Sequence, residues 1–75
     1  MRAQLQEQAT RIELSGIELG CLQRLADGSN TREIATAFKL SDVTIGVVLE
    51  SATAKLNSKT LFQALVKAAR LGLIV

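Results

Sequence analysis

The residue types that carry covalent or metal chemistry are scarce in this chain. It has no His and no Tyr, and Cys21 is its one cysteine. Without an imidazole neither Cys21 nor a serine has the usual base to activate it, and one thiol falls well short of a zinc donor set. No Gly-rich phosphate loop occurs, so an enzyme is not expected, nor a metal or other cofactor. Cys21 can form no internal disulfide, and its residue type suits a small buried apolar position. What is left is the chemistry of charge and surface. Nine Lys and Arg against seven Asp and Glu give a formal charge of +2, which permits a nucleic-acid partner without requiring one.

The elements that would hold such a surface follow from composition. Seventy-five residues, 48% of them hydrophobic but with only Phe38 and Phe62 aromatic, make one domain with a core of Leu, Ile, Val and Ala. That mixture favours helices packed on helices. There is no Pro, and the five glycines are scattered, so no flexible linker or low-complexity segment is present. No apolar run approaches the roughly 18 residues of a membrane span, and the N-terminal stretch lacks the apolar segment of a signal peptide. A cytoplasmic location, with no membrane partner, is expected.

Cap residues divide the chain. Ser15 and Glu18 have capping-box spacing, and Asp27-Gly28 supplies the stop of the helix they open, whose Cys21, Leu22 and Leu25 share a face. Asn30 and Glu33 repeat the signal for a short helix carrying Ile34, Ala35 and Phe38 inward. Ser41 caps a third helix, with Ile45, Leu49, Ala52 and Leu56 as its inner stripe, and Asn57 and Ser58 interrupt it. Leu61, Ala64, Leu65, Ala68 and Leu71 draw a fourth, which Gly72 ends. The fold expected is all-α, a small helix-turn-helix domain over 14–75 with four core helices at about 15–27, 31–38, 42–56 and 59–71. Residues 1–13, with Leu5, Ala9 and Ile12 at helical spacing, form an N-terminal arm that a further helix would suit.

A short helix, a tight turn and a longer helix make the helix-turn-helix unit, in which the second helix enters the DNA major groove. Small bundles share that pattern, so the individual residues matter more. Leu14, Ser15, Glu18, Leu22, Leu25, Ala26-Asp27-Gly28, Glu33-Ile34-Ala35, Leu40-Ser41, Thr44-Ile45, Val47, Leu49, Lys55-Leu56, Ala64 and Leu71-Gly72-Leu73 follow one another without an insertion. In that run the chain resembles the C-terminal DNA-binding domain of the LuxR/GerE/NarL family of bacterial transcription regulators. The resemblance implies a stand-alone DNA-binding regulator without the family's usual sensory domain, its recognition helix at 42–56. It departs from the family where function sits. Gly46 stands where Lys is usual, Val48 where His is usual, and Glu50 where a basic or polar residue is common.

Residues expected to meet double-stranded DNA are Thr44 and Ser51 through their hydroxyls, Val47 through a thymine methyl, and Glu50 through a cytosine amino group. Arg32, Lys39, Lys55 and Lys59 are expected to flank the phosphates. For each of these charges a plain solvated role is the alternative, and Glu50 would repel phosphate. Val47 and Val48 also suit a protein-facing surface. The fourth helix carries a second apolar face, Phe62, Val66 and Ala69, that requires a cover. A homodimer, the arrangement the resemblance implies, and the N-terminal arm both fit. The rival to the DNA reading is an interaction module that keeps the fold, has lost useful DNA affinity, and caps or sequesters a related regulator.

Overall fold

The structure, a computed structural model, describes residues 12–75. Those residues form four helices: α1 (Gly16–Ala26), α2 (Thr31–Phe38), α3 (Asp42–Lys55) and α4 (Leu61–Arg70). The all-α expectation holds, with bounds within two residues of those read from the caps. The arm proposed over residues 1–13, with Leu5 and Ala9, lies outside the described residues except for Ile12, which packs against the core, and exposed Glu13.

Each helix starts where a short polar side chain replaces the missing turn. Ser15 and Glu18 form a full capping box, as do Asn30 and Glu33. Ser41 accepts from the Thr44 N–H and Thr60 from the Gln63 N–H. Thr60 explains why α4 begins at Leu61, where its apolar stripe starts, and not at the expected residue 59. As N-cap it stays extended, and the Lys59 N–H turns to the Gln63 side chain at 3.1 Å.

All four helices end the same way. Just past each helix end an N–H reaches back to the carbonyl of the fifth residue before it: Ser29 to Arg24, Leu40 to Ala35, Ser58 to Thr53 and Leu73 to Ala68. The residue preceding each of these donors is left-handed. At Gly28 and Gly72 no side chain resists that. At Lys39 (φ 59°) and Asn57 (φ 54°) one does, and Lys39 carries the larger penalty, about 1 kcal/mol.

The core is one cluster. Cys21 and Leu22 of α1, Ile34 and Ala35 of α2, Ile45, Leu49 and Ala52 of α3, Leu56, and Ala64 and Ala68 of α4 are buried, and Ile74 closes the end. Helix α3 packs on each of the other three. α1 and α2 meet at Gly20, where a Cβ would lie 2.9 Å from the tip of the Phe38 ring. On that ring's outer side the Arg24 guanidinium sits 5.4 Å from the centroid. Among the described residues no helix is long and apolar enough to cross a membrane.

Candidate nucleic-acid interface

Helix α3 has two unlike faces because its sequence has two periods of residue type. Ile45, Val48, Leu49 and Ala52 fall at i, i+3, i+4 and i+7 and turn inward. Thr44, Val47 and Glu50 turn outward and are exposed, Val47 by 60%. The pairing of Val48 with Val47 as one outer surface is therefore corrected: Val48 packs against the core. A residue next in sequence lies 100° round the helix, so adjacency was the wrong guide.

The outer face is short of positive charge. From Asp42 to Ala54 there are two acids, Asp42 and Glu50, and no Lys or Arg. Thr44 is exposed and its hydroxyl lies 2.9 Å from that of Ser41, at the start of the helix where free backbone N–H groups gather. Gly46 has open space where a side chain would stand.

The cations lie around this helix. Arg32 is exposed in the first turn of α2, Lys39 in the connection to α3, and Lys59 in the connection to α4. Ser51 and Lys55, grouped with them as DNA-facing residues, also make bonds within the domain. The Ser51 hydroxyl donates to Glu18 Oε2 at 2.7 Å, and Lys55 Nζ meets Glu18 Oε1 at 2.9 Å. This is the one ion pair among the described residues. Lys55 keeps its side chain 45% exposed, so its charge still faces water.

Glu18, read from the sequence as a structural cap or an ion-pair partner, is both. Its Oε1 also accepts the Ser15 N–H at 2.8 Å. Burial pushes its acidity the other way, but the Ser15 N–H, the Ser51 hydroxyl and Lys55 together outweigh that and bring the carboxyl from 4.5 to about 2. The signal lay in its position. Glu18 shares a face with Cys21 and Leu22, three and four residues on, and a charge aimed at the core requires partners. Cys21 itself is fully buried, and burial pushes its thiol up against the weaker pull of Arg24.

On α4, Phe62 is 74% and Val66 41% exposed, and both line a shallow apolar groove with Leu71 and the stems of Lys67 and Arg70. Ala69, expected on the same face, is exposed but lies outside the groove lining.

The family model described as bacterial regulatory proteins, luxR family, matches residues 13–68, from the segment leading into α1 to Ala68 in α4. The chain belongs to that family. No curated protein sequence matches it. Among solved structures this luxR-family domain is similar to one titled "Structure of Transcription factor, GerE", with a TM-score of 0.79 and 27% identity over 83% of this chain and 92% of that one. The luxR family is a class of DNA-binding regulators and not of enzymes. Among the described residues no group of three or more Cys, His, Asp or Glu could hold a metal ion.

Proposed function

We propose that this luxR-family domain binds double-stranded DNA as a transcriptional regulator, with α3 in the major groove and α2 crossing the backbone. The observation that carries the reading is the division of α3. Ile45, Leu49 and Ala52 fix it to the other three helices, while Thr44, Val47 and Glu50 stand free on the opposite side. A groove-reading helix needs that arrangement. Arg32, Lys39 and Lys59 meet phosphates, and the capped N-termini of α2 and α3 add backbone N–H donors. Lys55 adds its exposed charge at the far end of α3. The exposed Phe62 and Val66 of α4 are covered by a second copy, which matches the two-fold symmetry of operators.

Fluorescence anisotropy of the whole chain against random duplex, at about 50 mM and 200 mM salt, tests the reading. Binding that weakens with salt is expected, since non-specific binders of this type reach about 10⁻⁴ to 10⁻⁶ M. Glu50→Lys should tighten all duplexes and steepen the salt dependence by about one phosphate contact. No binding up to about 100 μM at the lower salt discards the proposal. For the dimer, Phe62→Asp should lower the mass seen in light scattering, and a monomer both before and after discards that surface.

One observation favours a second reading. The thirteen residues from Asp42 to Ala54 carry no cation, a poor match to phosphate. In that reading the domain binds a related regulator and not DNA, and the titration above separates the two.

A further inference from the structure

Val43, Gly46, Val47 and Glu50 stack along the outer side of α3 at i, i+3, i+4 and i+7. Val43 is 77% exposed, more than Val47. At Gly46 nothing lies within 4 Å of a Cβ position, so the backbone itself reaches the surface. Glu50 is exposed and pairs with no cation among the described residues. The stripe therefore offers hydrogen-bond acceptors at one point, no charged donor, and apolar surface elsewhere.

In the major groove guanine presents two acceptors and thymine an acceptor beside its methyl group, while adenine presents a donor next to an acceptor and cytosine a donor alone. A carboxylate is repelled by the acceptors, and adenine gives it one bond with an opposed N7 alongside. Cytosine is the base it can satisfy. Valine has nothing to offer a polar edge and fits the thymine methyl. Resting on the reading that α3 enters the groove, we propose that this stripe selects pyrimidines, with Glu50 on a cytosine amino group and Val47 on a thymine methyl. Gly46 lets the backbone approach that methyl closely. Glu50 works chiefly by exclusion: it weakens contact with every duplex through phosphate repulsion and weakens it least where cytosine meets it.

The test selects duplexes from a random pool with the whole chain, then titrates the enriched duplex and its single-pair variants. Wild type should lose at least about fivefold on replacing the cytosine pair. Glu50→Gln should move the preference at that pair to adenine, because an amide pairs with adenine's adjacent donor and acceptor. Glu50→Ala should erase the preference, and it should bind random duplex no more weakly than wild type. Replacing the thymine by deoxyuridine, which lacks the methyl, should weaken wild type but leave Val47→Ala unchanged. The same discrimination in Glu50→Ala as in wild type overturns the proposal, as does an enriched site without cytosine. Salt-dependent binding of wild type with no base selected overturns it while leaving DNA binding in place. No binding to any duplex overturns both.

Discussion

Two glutamates on neighbouring elements set the two regions of this molecule apart. Glu18, in the seam between α1 and α3, is 4% exposed and holds the Ser15 N–H, the Ser51 hydroxyl and Lys55. Glu50, on the outer side of α3, is exposed and has no cation against it among the described residues. The same side chain serves architecture in one place and is left available for a partner in the other. What differs is whether the fold supplies the counter-charge.

That contrast is broken most directly by truncation. Glu18→Ala should cost about 3 kcal/mol in urea unfolding, since it removes three charge-assisted bonds from a buried site, one of them half of a capping box. Glu50→Ala should change stability by less than about 0.5 kcal/mol, as exposed surface sites do. Equal losses in the two variants would erase the distinction.

Acid sharpens it next. The Glu18 carboxyl titrates near 2 in the folded domain against 4.5 when free, so the unfolded chain takes up the proton first as pH falls. The stability this group contributes is complete above about pH 4.5 and is lost progressively as pH falls toward 2. Thermal melts over that window should therefore steepen for wild type and flatten for Glu18→Gln. Parallel curves would show that the seam does not hold a charged carboxylate.

The glycines of the two regions give a smaller, paired effect. Gly46→Ala adds helix propensity where space is open and should raise stability by about 1 kcal/mol. Gly20→Ala gains the same propensity but drives the new Cβ into Phe38, 2.9 Å away, so it should be neutral or destabilising. A larger gain at Gly20 than at Gly46 would mean that the ring gives way freely. The smallest effect is expected at Lys39. Lys39→Gly relieves its left-handed strain and should add about 0.5 kcal/mol in the same melts. If that residue also touches phosphate, the stabler variant binds DNA more weakly.

Much of the architecture was legible because helix ends are local. Ser15 with Glu18, Asn30 with Glu33, and Gly28 and Gly72 past the ends each act within four or five residues, and a single sequence displays them. Lys39 escaped because its left-handed turn is enforced by the bond from Leu40 to Ala35 and the packing around it, against its own preference. The bond from Glu18 to Ser51 and Lys55 spans 33 and 37 residues, beyond any local pattern. So the hold that Ser51 and Lys55 have on Glu18 could not be read from the sequence. Val48 was misplaced although its spacing from Ile45 and Ala52 already pointed inward. The outer stripe was readable in outline, since whatever the inner period leaves over must face away from the core.

Gly46 has a consequence for association that static contacts do not display. A glycine inside a helix retains more backbone freedom than any other residue and leaves the turn around it open to water. Local opening concentrates where burial is least. Helix α3 thus carries its softest turn on the side facing outward, directly beside the anchored Ile45 and Leu49. Docking has to quiet that turn, and the entropy surrendered is the same for every surface met. Only a well-matched surface returns enough contact energy to offset it, so the missing side chain raises the threshold for lasting encounters and shortens the dwell time of poor ones.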